Sequence, residues 1–176
     1  MSTRVAGAGS GGVAAEGASS ASLLHTLART RNDGVALVLR ATLALVIFPH
    51  GAQKLLGWFD GPGFSGAMAH LTTDYGLPGL IALPVILIEF FAPLALALGL
   101  LTRLAALAVA AVMIGAALTT HLPNGFFMNW FGNQAGEGFE YHLLAVGLAV
   151  GVIARGGGAL SLDRRIICDA DAGRKS

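Results

Sequence analysis

The sequence predicts an all-α membrane protein, a bundle of four transmembrane helices, and three observations carry that prediction. Of 176 residues, 55% are hydrophobic and only 12% charged, with a mean hydropathy of +0.70. A soluble domain carries about 25% charged residues, so most of this surface is built to face something other than water. The apolar residues gather into four runs, 35–56, 77–101, 104–121 and 139–154, each near the ~20 residues that cross a bilayer. Basic residues, finally, fall almost entirely on one side of those runs.

Each element follows from its composition. Residues 1–34 are rich in Gly, Ala and Ser without an apolar stretch of signal-peptide length, and read as a flexible N-terminal tail. The four runs must be helices, because a backbone in hydrocarbon has to satisfy its own hydrogen bonds, and membrane strands would alternate and be about half as long. Pro84 and Pro93 inside the second run predict kinks, which membrane helices tolerate. The third and fourth runs are short, which predicts tilt or local thinning of the bilayer. Between runs one and two, residues 64–75 form an amphipathic stretch suited to the membrane surface. The connection LPNGFFMNWFGNQAGEG is a Gly-rich aromatic loop, and residues 156–176 read as a charged, flexible cytoplasmic C-terminal tail after a 35–155 membrane domain.

Four spans put both termini on one side. There lie Arg4, Arg29, Arg31, Arg40, Arg103, Arg155, Arg164, Arg165, Arg174 and Lys175, leaving Lys54 alone near the other face; both termini are therefore expected in the cytoplasm, across an inner membrane. The opposite side carries Asp60, Asp74, Glu137 and Glu140 with an aromatic belt that includes Trp58, Phe59, Tyr75, Trp130 and Phe131. Net charge is +1, which is no field for nucleic acid. Cys168 stands alone, so it supports neither an intrachain disulfide nor a cysteine metal site, and no P-loop, nucleophile elbow or dinucleotide fingerprint is present. Lipid is the expected partner. Small residues such as Gly99, Ala105, Ala106, Gly115 and Ala116 would allow close helix approach, within one chain or in a homo-oligomer.

Ionisable groups inside a membrane are costly and face the bundle interior, where they pair or serve a site. Arg40, His50, Gln53 and Lys54 fall within about 140° of arc on the first helix and form one polar stripe. Counted from the inner ends at ~1.5 Å per residue, Arg40 lies roughly 8 Å deep and Glu89 about 15 Å, which predicts a structural ion pair between them. His50, Gln53, Lys54, His121, Glu140 and His142 should share the outer third and form a candidate cofactor pocket. A quinone, needing an apolar slot and groups that hydrogen-bond its carbonyls, suits those residue types best. A bis-histidine haem, His50 with His121 or His142, and a His/Glu metal site lack any specific spacing, so neither haem nor metal is predicted.

Several motifs also resemble a known family. LRATLALVIFPHGAQKLLGWFDGPG, the Glu89-bearing run ending LALGLLTRLAAL, HLPNGFF, GFEYHLLAVGLAV and ALSLDRRI are similar to the DoxX family of small bacterial membrane proteins, over about residues 36–166. His50, Gln53, Lys54, Arg103, His121 and Glu140 match its recurring polar positions, with Arg40 and Glu89 inside the bundle. The resemblance implies a four-helix membrane bundle and an association with quinone-linked oxidation, particularly of thiosulfate. The expected function is thus a membrane component of a quinone-linked redox system fed by a redox-protein partner. The alternative is a non-enzymatic membrane anchor or assembly partner for a redox complex.

Overall fold

The computed structural model describes Thr30 and residues 32–173, with side chains as far as Cys168. Most of the expected N-terminal tail, with Arg4, Arg29 and Arg31, lies outside the described residues, as do Arg174 and Lys175. The described residues form helices and no strand.

Helix α1 (Gly34–Leu56) starts at an Asp33 cap, whose carboxylate accepts the Val35 N–H at 2.9 Å, and stops at Gly57, where φ is 73°. A short α2 (Gly63–Ala69) continues into a π turn (His70–Asp74), where the amphipathic stretch was expected. Helix α3 (Gly79–Leu98) runs unbroken through Pro84 and Pro93 and ends at Gly99. Helix α4 (Thr102–Ala116) passes into a second π turn (Ala117–His121) and a 3-10 turn (Leu122–Asn124). After the aromatic loop come α5 (Glu140–Arg155) and α6 (Leu162–Gly173).

The four long helices form a ring in which α1 lies against α3 and α5, and α4 against the same two. Leu43, Ile47, Leu96, Val109 and Val152 fill its centre, while Leu45, Leu80, Leu144 and other apolar side chains point outward. An apolar exterior around an apolar core is the arrangement expected of helices surrounded by lipid. Among the described residues, Gly34–Leu56, Gly79–Leu98 and Thr102–Asn124 are long and apolar enough to cross a membrane. Helix α5 has 16 residues, roughly 24 Å, which is shorter than a typical hydrocarbon core.

The structure corrects two expectations. Arg40 and Glu89 do not pair. The Arg40 guanidinium, 1% exposed, donates to five backbone carbonyls: Nε to Gly157 at 2.8 Å, Nη1 to Leu96 and Ala97 at 2.7 Å each, and Nη2 to Ala159 and Leu160 at 3.1 and 3.0 Å. The reason is helix register. At Gly51 a methyl group would overlap the Glu89 backbone, so Gly51 and Glu89 stand at one level, and Arg40 lies about eleven residues, roughly 16 Å, further along α1.

The second correction concerns residues 156–168, which are not a loose tail. Gly156, Gly157 and Gly158 are buried, and Asp163, 2% exposed, accepts the N–H groups of Leu101 and Thr102 at 2.7 and 2.9 Å and the Thr102 hydroxyl at 2.7 Å. A carboxylate on the first turn of α4 satisfies donors that no intrahelical carbonyl reaches. Gly99 and Gly157 allow this closure, since a side chain at either would collide with Ser161.

Candidate functional site

At the opposite end of the ring, where α1 finishes and α3 begins, the bundle holds a cavity of about 770 Å³. Its walls are mostly apolar, from Leu71 and Leu77 through Ile81, Val85 and Ile88 to Ala111, Val112 and Ala116. Its polar lining comes chiefly from Gln53 and Lys54 of α1, Glu89 of α3, and Thr119, Thr120 and His121 at the end of α4, with His70 and Tyr75 on the α2 side. Exposed Leu80, Ile81, Ala111 and Gly115 line it as well, so the space opens between α3 and α4 onto the apolar exterior.

Glu89 is 4% exposed and forms an ion pair with Lys54. The close backbone crossing at Gly51 brings the two helices near enough for that contact. Lys54 is the more accessible partner, with 31% of its side chain exposed, so its ammonium has hydrogens left for a molecule in the cavity. Gln53 reaches the Phe59 carbonyl at 3.4 Å, and Gly61 crosses so near Gln53 that a side chain there would overlap it. His121 donates Nδ1–H to the Glu137 carbonyl at 2.8 Å, because a carbonyl can only accept; in the neutral ring this makes Nε2 the acceptor.

Of the six residues expected in one pocket, Gln53, Lys54 and His121 line this cavity, while His50, Glu140 and His142 do not. The Glu140 carboxylate accepts the Met128 N–H at 3.3 Å, and the Glu137 carboxylate accepts the Asn129 N–H at 2.6 Å, so both acids shape the aromatic loop. His142 is 7% exposed and stacks on His121, ring centroids 4.1 Å apart, on the side of α4 away from the cavity, where it borders a smaller cleft between α4 and α5. Tyr141 packs against both His50 and His142, with ring centroids 6.0 and 5.4 Å apart. Among the described residues, no three His, Cys, Asp or Glu side chains converge as a metal site requires.

Sequence reasoning missed Glu89 as the partner of Lys54, and it missed Tyr141. It also missed a repeat. AHLTTD (69–74) and AALTTH (116–121) both form π turns, and both turns line the cavity. In each, the first threonine donates its hydroxyl to the carbonyl four residues back at 2.8 Å, Thr72 to Met68 and Thr119 to Gly115, which widens the helix locally. The shared Leu-Thr-Thr was the legible signal.

No curated protein and no solved structure matches the chain. A family model does: DoxX matches residues 35–122, which takes in α1, α2, α3, α4 and every residue named above as lining the cavity. With apolar helices arranged around a buried ion pair, this chain is a multi-pass membrane protein that belongs to the DoxX family.

Proposed function

We propose that the chain is a component of a quinone-linked redox system and receives the quinone in the cavity beside Lys54, Glu89 and His121. The single observation that carries this reading is the combination of an apolar cavity open toward the lipid side with a polar end that both donates and accepts hydrogen bonds. A volume of about 770 Å³ lies within the ~300–1,000 Å³ range of small-molecule sites and leaves room for part of an isoprenoid tail behind a ring. Lys54 would donate to one headgroup oxygen, Gln53 and the threonine hydroxyls would complete its hydrogen bonds, and His121 Nε2 would accept a headgroup hydroxyl. When bound, a quinone supplies reversible two-electron, two-proton chemistry. The donor in this reading is a redox-protein partner, with a reduced sulfur compound the first candidate upstream.

The same reading makes α5 a fourth span, short enough to require tilt or local thinning, and puts both termini on the cytoplasmic side of a bacterial inner membrane. Exposed Cys168, the chain's one thiol, reports the topology. A membrane-impermeant maleimide should label it in lysed cells and not in intact spheroplasts; labelling from outside overturns the orientation.

The binding test uses Gly115→Phe. Gly115 lines the cavity and no atom stands within 4 Å of the position a Cβ would take there, so the variant adds an aromatic ring at the cavity wall without a clash at Cβ. Titration of purified protein with a short-tailed ubiquinone should show saturable binding, weakened at least about tenfold in the variant, while thermal unfolding is unchanged. Equal binding by Gly115→Phe removes the cavity from the proposal. A wild-type chain that binds no quinone but recovers a constant protein partner makes the anchor reading the better one.

A further inference from the structure

Four rings run in sequence across the cavity end of the bundle. His50 of α1 stands 6.0 Å from Tyr141 of α5, Tyr141 is 5.4 Å from His142, and His142 is 4.1 Å from His121, centroid to centroid. One end of this ladder, His121, lines the cavity; the other, His50, is exposed on the outside of α1, about six residues or roughly 9 Å from its end. The two rungs between them carry an anomaly. The Tyr141 hydroxyl and His142 Nδ1 are both inaccessible to solvent, and neither has a hydrogen-bond partner among the described residues. A buried polar atom without a partner is destabilising, and native proteins satisfy nearly all of them with protein groups or ordered water. Two such atoms on adjacent residues, inside a line of proton-carrying rings, mark places for water.

We propose that His50, Tyr141, His142 and His121 form a water-bridged proton path joining the cavity to the exposed face of α1. The inference deepens the quinone reading, on which its purpose rests, though the hydration it requires does not. His121 has its Nδ1–H committed to the Glu137 carbonyl, so Nε2 is the nitrogen that takes up a proton from a headgroup hydroxyl. In that step the O–H bond breaks, oxygen keeps the electron pair and an N–H bond forms on Nε2. Once the headgroup oxygen has left, the Nε2–H bond breaks to water beside His142 Nδ1, nitrogen keeps the electron pair and His121 is neutral again; the Tyr141 hydroxyl, donating one proton as it accepts another, passes it to a ring nitrogen of His50. Lys54 and Glu89 flank the ladder from α1 and α3, within electrostatic reach of His50, and Glu140 adjoins it on α5. Tyr141 and His142 are positioning and relay residues in this scheme, since neither lines the cavity.

The experiment is nitrogen NMR of histidine-labelled full-length protein in lipid nanodiscs. The expected result is exchange between bulk water and His142 Nδ1. In addition, Tyr141→Phe, which keeps the ring and removes the hydroxyl, should slow water exchange at His121 by about tenfold. If that variant does not fold, His50→Gln, an exposed substitution, should produce the slowing instead. A His142 Nδ1 that sees no water, or exchange at His121 that neither variant alters, overturns the path. A parallel titration with short-tailed ubiquinone separates the two readings: failure to bind removes the quinone proposal and leaves the hydration result standing.

Discussion

Where α3 hands over to α4, every N–H of the Arg40 guanidinium meets a carbonyl and Asp163 closes the first turn of α4. Where α1 gives way to α2, Lys54 has one carboxylate partner, a cavity opens beside it, and two buried polar atoms are left unpaired. Both ends place charge in an apolar bundle, which costs desolvation. The saturated end recovers that cost in fixed geometry, through three glycine-lined crossings and a folded segment after α5. The unsaturated end keeps hydrogen-bonding capacity in reserve, which is what a ligand site requires and a structural clamp does not. Under the proposed function, Arg40 and Asp163 serve stability, while Lys54, Glu89 and His121 serve the ligand.

Substitution at Arg40 should break the comparison most severely if it is wrong. Arg40→Met strips five backbone carbonyls of their donor, those of Gly157 and Leu96 in buried contacts, and should destabilise the detergent-solubilised protein by roughly 3–5 kcal/mol, read by thermal unfolding. Arg40→Lys should recover only part of this, because an ammonium has three donors and no planar fork. Wild-type behaviour of the lysine variant would mean that charge alone, not saturation, closes this end. Next comes Gly51→Ala, which should separate α1 from α3 and cost about 1–3 kcal/mol as overpacking does. Loss of the Lys54–Glu89 contact should accompany it, seen as weakened quinone binding.

The pair itself sharpens the contrast. Replacing both members, Lys54→Met with Glu89→Leu, removes two charges from apolar surroundings, and such replacements are neutral or stabilising by about 1–4 kcal/mol. Unfolding temperature should hold or rise while quinone binding disappears. A collapse of stability would place Lys54 and Glu89 with Arg40 as structural groups.

The smallest effect belongs to Asp33, which caps α1 and joins Arg155 by a 2.5 Å ion pair. The Arg155 hydrogen bond, aided by the Val35 and Ala36 N–H groups, holds its carboxyl below the ordinary value of 3.8. A depressed folded value means that this contribution is complete above 3.8 and is lost as the pH falls through the lower, folded value. Unfolding temperature should decline over that acid window in the wild type and less steeply in Asp33→Asn. Parallel curves would show that the exposed pair contributes nothing.

How far the sequence could be read depended on the kind of information each feature needs. Helix positions were legible from apolar run length: the predicted run 139–154 became α5 (Glu140–Arg155), and 64–75 became α2 with its π turn. The Arg40–Glu89 pairing was not legible, because depths counted from helix ends assume that all helices begin in one plane. Lys54 was legible as a pocket residue, but its pairing with Glu89 was not, for the same reason. Glu140 was grouped with the pocket by depth alone, whereas its carboxylate turned toward the loop.

By itself, then, the sequence determined an all-helical membrane chain, the order of its helices and which residues had to be kept from lipid. Those depend on hydropathy and backbone hydrogen bonding, both local properties of the chain. Tertiary structure alone decided which charges meet. Partnership follows from helix register, and register here is decided where Gly51 lets α1 touch the backbone of Glu89, a contact between residues far apart in sequence. Tertiary packing also left His121 lining the cavity and His142 outside it, although both had been assigned one depth.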